Sequence, residues 1–298
     1  MSQSQNPQEA PQKSNTGEDK FRFQIVYLLP ILASMLFGLG YAWVLLPQAG
    51  SGIPVTPIPP ETPGADWGTA LYFVVLIAAS ATVFYLLLKY KKKRTITGLI
   101  LLAMTTAAML LSLVFLAALS SRVPFLDDWR VIIPISVAFT VLFDLAIFRL
   151  GHKARNTAVI LIGGALGMFL AYNIADISIW SAVLILVFLA VYDVFAVYKG
   201  PVGKIAQSSG LEQLQGLSFS FKDIQMGLGD LVFYSMLTGT MIFGFPQSLL
   251  PAAASIAGIM AGSVITFYML EKKNIFPGLP FPILLGLAFG LAVGFLMI

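Results

Sequence analysis

Nine apolar runs divide the chain, each long enough to cross a bilayer and each separated from the next by a short polar or proline-marked break. A spanning helix needs about 20 predominantly apolar residues, because backbone polar groups in lipid must find their partners within the segment. The runs lie near 23–46, 68–90, 96–120, 131–150 and 157–175, then 177–198, 226–245, 247–270 and 276–298. Of the 298 residues, 58% are hydrophobic and only 11% are charged. That balance places the chain among polytopic membrane proteins. The expected fold is all-α, nine transmembrane helices in one membrane domain over 21–298. Residues 1–20, rich in Gln, Ser, Asn and Pro, read as a disordered N-terminal tail. Residues 199–225 read as a loop between the sixth and seventh spans.

The basic residues set an orientation. All 18 Lys and Arg except Arg122 and Arg130 fall on one side of a nine-span arrangement. Cytoplasmic loops carry the excess of Lys and Arg, so the N-terminus is expected in the cytoplasm, the C-terminus outside, and the 199–225 loop in the cytoplasm. The localisation that follows is the cell membrane, with the lipid bilayer as a partner. The same clustering explains the net charge of +4 without a nucleic-acid partner. The outer segment from Pro47 to Trp67 carries six prolines before Trp67 and is expected to be extended and stiff.

Several chemistries are excluded by residue type. The chain has no cysteine and a single histidine, His152, so neither thiolate catalysis nor a His-x-x-x-His zinc site can be built. His152 stands between basic neighbours and reads as a solvated loop residue. No metal and no cofactor is expected. Asp144, in the fourth span, is expected to pair with Arg149 or with polar neighbours.

Two other carboxylates lie inside apolar runs: Asp193 in Tyr192-Asp193-Val-Phe-Ala-Val-Tyr198, and Asp230 in Met226-Gly-Leu-Gly-Asp-Leu-Val-Phe-Tyr-Ser235. Ionisable groups within spans are costly and mark functional sites by default. Asp193 stands six residues before Lys199, and Asp230 eight residues after Lys222. At a rise of 1.5 Å per residue both lie about 9–12 Å from the inner basic flank. They are therefore level, on consecutive antiparallel helices. Like charges in close contact cannot both remain ionised, so such a pair can share a proton. One carboxylate would then activate a water as general base, and the other, protonated, would polarise a carbonyl.

The flanking residues suit that role. Gly229 removes a side chain beside Asp230, and Gly227 is expected to let the seventh helix approach a neighbour closely. The segment Phe276-Pro-Gly-Leu-Pro-Phe-Pro282 lies at the same inner depth. Pro277, Pro280 and Pro282 disfavour a regular helix there. Gly258 with Gly262, and Gly286 with Gly290 and Gly294, repeat at the spacing of close helix contacts.

Tyr192-Asp193, then Gly227-Leu228-Gly229-Asp230 with Phe233-Tyr234-Ser235, then Pro277-Gly278-Leu279-Pro280 resemble the three signature motifs of the presenilin and signal-peptide-peptidase family. Those are nine-span intramembrane aspartyl proteases of the GxGD type. The cytoplasmic N-terminus resembles the presenilins, and the compact length resembles the archaeal members. The resemblance implies an aspartic endopeptidase with Asp193 and Asp230 as the catalytic pair. It implies that Tyr192, Gly227, Leu228, Gly229 and the Pro277–Pro280 segment support the site and bind substrate, a transmembrane segment of another protein or a peptide. Where the family usually has Pro-Ala-Leu, this chain has Pro-Gly-Leu.

The residues alone leave other readings open. Intramembrane carboxylates also carry protons or sodium in secondary transporters, although no internal repeat is visible. A prepilin-peptidase-like enzyme also uses a GxGD carboxylate but lacks the Pro-Gly-Leu element. One further segment stands out. Residues 217–221, Leu-Ser-Phe-Ser-Phe, alternate with the period of a strand and are expected to offer an edge to an unwound substrate.

Overall fold

The computed structural model describes residues 23–48, 55–59, 61–90, 93–175, 178–198, 218–221, 224–246, 248–273 and 276–297. The expected tail at 1–20 and most of the 199–225 loop lie outside the described residues. Helices dominate: α1 (Leu29–Leu45), α2 (Ala65–Lys89), α3 (Lys93–Ser120), α4 (Trp129–Phe148), α5 (His152–Ala175) and α6 (Ile179–Tyr198) come first. A hairpin of β1 (Ser218–Phe221) and β2 (Ile224–Gly227) follows, then α7 (Leu228–Gly244), α8 (Leu250–Lys273) and α9 (Pro280–Leu296). Short 3-10 turns at Ile25–Leu28 and Leu46–Gln48 extend α1 at both ends. Among the described residues seven helices are long and apolar enough to cross a membrane, and α7 and α9 are shorter apolar helices of 17 residues each.

Those two short helices are where the structure departs most from the apolar pattern. A helix of 17 residues rises about 25 Å, less than the ~30 Å hydrocarbon thickness. In both, the missing turn is at the N-terminal end. The run starting at 226 opens as strand β2 rather than helix, and the run starting at 276 opens with an irregular stretch before Pro280. Pro280 then takes a first-turn position, where its missing N–H costs nothing and its fixed φ favours the helix. Non-helical backbone at membrane depth is tolerated only when protein or a water-filled cavity covers it.

Small residues set the packing, as expected where lipid removes a hydrophobic drive between helices. Helix α5 is the central post, with 72% of its most apolar window buried. Its Gly163 and Gly167 face α7, where a Cβ would meet Leu231 and the Val232 carbonyl, and its Gly164 faces the Ser34 carbonyl of α1. The α8–α9 pair closes through Gly258 against Leu285 and Gly262 against Phe281 and Pro282, as the glycine spacing predicted. Helix α2 stands at the periphery beside α6, with 6% of its window buried.

Several polar placements refine the sequence reading. Asp144 accepts a hydrogen bond from Thr105 Oγ1 on α3 at 2.8 Å, so its partner is a neighbouring helix. His152 is the first residue of α5, not a loop residue, with Nδ1 at 2.6 Å from Arg155 Nη2. Within the proline-rich segment, Val55 packs on the core and Ile58 lies against Gly68 of α2.

Candidate active site

Helix α7 begins in a way that orients Asp230. Gly227 is its N-cap, in extended backbone at φ −72° and ψ 146°. Asp230 is three residues on, in the first turn, and the Gly227 amide faces its carboxylate. This is the reciprocal half of a capping box, in which the third helical residue reaches back to the N-cap amide. The first amides of a helix lack partners within it, so a carboxylate there is held by the backbone itself. The Gly-x-x-Asp spacing is thus a local folding device as well as a motif.

Gly227 and Gly229 are both exposed. A Cβ on Gly227 would come no closer than 3.9 Å to the Gly229 amide nitrogen, and one on Gly229 no closer than 3.7 Å to Phe233 Cε2. Position 229, one residue before Asp230, is exposed, and a Cβ there would make only ordinary contact with Phe233. Gly227 does not bring α7 against a neighbour. That part of the expectation is corrected, because the residue ends β2 before the helix begins. The close approach to α5 is made further along the helix, by Leu231 and Val232, with Leu228 Cδ1 also beside Gly163.

Asp193 stands near the end of α6, on the helix that enters the site from the other side. Its Oδ2 accepts from the Leu279 amide at 3.0 Å, and the Gly278 amide also faces it. Gly278 meanwhile lies against the other carboxylate: a Cβ built there would be 3.2 Å from Asp230 Oδ2 and 3.5 Å from its Cγ. The two carboxylates thus converge on Gly278, with Asp193 also held by the Leu279 amide. Pro277 and Leu279 are buried, and Gly278 and Pro280 partly so. Tyr192 is partly buried beside Asp193 on α6.

The structure adds one residue of the second motif to the site. Tyr234, one turn beyond Asp230, is 2% exposed and donates from its hydroxyl to the Gly278 carbonyl at 3.0 Å. Ser263, on α8, lies near that hydroxyl, and its own Oγ donates to the Ile259 carbonyl at 2.8 Å. A tyrosine buried in a span needs such a partner, which is the signal that marks it. Among the described residues no group of three His, Cys, Asp or Glu side chains could hold a metal ion.

The hairpin leads into this site. β1 pairs antiparallel with β2 in the register Ser218 with Gly227, Phe219 with Met226, Ser220 with Gln225 and Phe221 with Ile224. The strand expected from the alternation at 217–221 is present, but its partner is in the same chain. β2 ends at Gly227, three residues before Asp230.

No family model matches the chain. A curated relative, Presenilin-B of Dictyostelium discoideum, is 27% identical over 161 residues, which cover 51% of this chain and 33% of that protein. The match thus spans about a third of the relative's length. Two solved structures described as a presenilin family intramembrane aspartate protease, in C222 and P2 space groups, superpose with TM-scores of 0.64 and 0.60. They are 21% and 20% identical, each alignment covers 91% of this chain, and they cover 99% and 96% of the solved chains. The fold is shared with these proteins, and the resemblance of the three motifs extends to the arrangement of the chain.

Proposed function

We propose that this chain, which has the presenilin-type fold, is an intramembrane aspartyl endopeptidase with Asp193 and Asp230 as its catalytic pair. One observation carries the reading most strongly: the carboxylates of two different spans meet a single irregular segment, Pro277–Pro280, at the level where α7 and α9 both lose their first turn. Unwound backbone and two acids at one depth form a place where water and a peptide bond can meet. One carboxylate takes a proton from the water as it attacks the carbonyl carbon. The other donates a hydrogen bond, then a proton, to the carbonyl oxygen. When the tetrahedral intermediate collapses, a proton passes to the leaving amine. Gly229 leaves the substrate backbone room beside Asp230.

The substrate class is a transmembrane segment or peptide, and the chain sits in the cell membrane with its N-terminus in the cytoplasm, as the basic residues indicate. Incubating purified protein in vesicles with a single-span protein, then mapping the products by mass spectrometry, tests the reading. Cuts within the span support it. Intact substrate together with proton- or sodium-coupled solute uptake would instead assign the carboxylates to transport.

Gly278 gives a graded prediction. A methyl at 3.2 Å from Asp230 Oδ2 is tight but faces a side chain that can rotate. Gly278→Ala should change the rate or the cut position, by up to about tenfold, because the carboxylate has to move only a few tenths of an ångström. Gly278→Leu needs far more space at the same point and should lose about 10²-fold or more. Both should keep the wild-type unfolding temperature. Identical rates and cut sites in all three proteins would show that the segment is only a helix start.

A substrate helix hides its amides in internal hydrogen bonds, and opening it leaves groups that cost several kcal/mol if unpaired. Among the described residues no third strand flanks the hairpin, and we propose that one outer edge accepts the opened substrate as a further strand. Successive amides of a strand point to opposite edges. Of Phe219 and Ser220, one therefore faces β2 and the other faces away. Proline removes the donor at either position. Phe219→Pro and Ser220→Pro should both slow cleavage while the helices remain folded by circular dichroism. Wild-type rates for both would remove the strand from the mechanism.

A further inference from the structure

The peptide bond between Gly278 and Leu279 is held at both of its polar ends. Its N–H donates to Asp193 Oδ2, and its C=O accepts from Tyr234 Oη, each at 3.0 Å. The described chain contains no cis peptide bond, and a trans peptide points these two groups in opposite directions. Asp193 and Tyr234 therefore lie at opposite edges of one rigid planar unit. Asp193 belongs to α6. Tyr234 belongs to α7, four residues past Asp230, so the two side chains share one face of that helix. A continuous chain of hydrogen bonds thus runs from one catalytic helix to the other: Asp193, the 278–279 peptide, then Tyr234.

We propose that Tyr234 is a positioning residue that acts through this peptide to set the distance and orientation of the Asp193 carboxylate relative to Asp230. The proposal rests on the aspartyl-protease reading and assigns a role to a group outside the acid pair. The reasoning is geometric. Asp193 has the amide of a segment that belongs to neither catalytic helix as its donor. That amide can be no better fixed than the carbonyl of the same plane. The carbonyl is fixed by a hydroxyl on the helix that carries Asp230. Tyr234 is itself buried, 2% exposed, with Ser263 of α8 near its hydroxyl. Without the hydroxyl the peptide plane can tilt about its flanking bonds, and Gly278, lacking a Cβ, resists such rotation least. The carboxylate that follows the amide then drifts from the attacking geometry.

Tyr234→Phe removes one oxygen and keeps the ring, so it separates positioning from packing. The full chain is assayed in vesicles against a single-span substrate as wild type, Tyr234→Phe, Gly278→Ala and the double variant, with Asp230→Asn as the blank. Positioning predicts that kcat falls roughly tenfold for Tyr234→Phe, the scale of one lost hydrogen bond. KM and the unfolding temperature should be unchanged, and the cuts should spread to neighbouring peptide bonds. It also predicts that the double variant departs from the product of the two single effects, since both act on one peptide. Wild-type kcat and cut sites for Tyr234→Phe overturn the proposal. So does a loss that tracks a lowered unfolding temperature, which assigns the hydroxyl to packing, and so does strict additivity. If wild type cuts no more than Asp230→Asn, the protease reading falls and the positioning role falls with it. That pattern differs from one in which wild type and Tyr234→Phe both cut equally well.

Discussion

Asp230→Asn, and separately Asp193→Asn, should leave a folded protein that no longer cuts its substrate. Asn keeps the shape of Asp and can still accept a hydrogen bond. At position 193 its carbonyl oxygen can take the Leu279 amide, now 3.0 Å from Oδ2. At position 230 it can face the Gly227 amide. What it cannot do is gain or lose the proton that the reaction moves. General acid–base catalysis contributes about 10²–10⁴-fold per group, and here each acid serves in both steps. Either variant should therefore fall below detection in a product assay by mass spectrometry, with the unfolding temperature within a few degrees of wild type. Residual cleavage by Asp230→Asn at the wild-type rate would exclude the dyad. A loss of activity accompanied by a collapsed fold would leave the acids structural.

What the sequence made legible at this site was depth. Lys199 and Lys222 flank their helices closely enough to put both carboxylates at one level before any contact is known, and the prolines at 277, 280 and 282 announced that α9 begins late. What stayed hidden has physical causes. The residues Ile224-Gln-Met-Gly run straight into the apolar stretch of α7, and periodicity cannot divide a short strand from a helix when the apolar residues are continuous. β1 was visible because polar serines alternate with its phenylalanines. Its partner was not, because pairing is a choice between segments and not a property of either. Tyr234 was hidden for a related reason. Its partner is a backbone carbonyl 44 residues away, and a backbone group leaves no trace in side-chain pattern. The glycines of α5 were legible as small residues but not as a contact face, since which neighbours they admit depends on where α1 and α7 come to lie.

Gly262 ties that packing to the chemistry, and replacing it by Ala should damage both. Gly258 and Gly262 resemble an ordinary close-contact motif in the sequence, and in the structure they do bring α8 against α9. Position 262, however, meets the start of α9. A Cβ built there would lie 2.5 Å from Phe281 O, Pro282 N and Pro282 Cα, all of them atoms that cannot swing aside as the end of a side chain would. Ordinary carbon contacts are about 3.5–4.0 Å, so α9 has to retreat by about an ångström. Overpacking of this kind costs about 1–3 kcal/mol, and the unfolding temperature should fall. Pro282 is also only three and four residues from Leu279, whose amide holds Asp193, and Gly278, which lies against Asp230. As the start of α9 retreats, the Leu279 amide leaves Asp193, and misplacing a group at a reacting centre by an ångström costs about 10²-fold. The folded fraction of Gly262→Ala should therefore show a kcat about 10²-fold below wild type with little change in KM. Gly98, on α3, supplies the control, because a Cβ there meets nothing within 4 Å, and alanine favours a helix over glycine by about 1 kcal/mol. Gly98→Ala should be as active as wild type and no less stable. If Gly262→Ala cleaves like Gly98→Ala, the approach of α8 to Pro282 does not hold the catalytic segment in place.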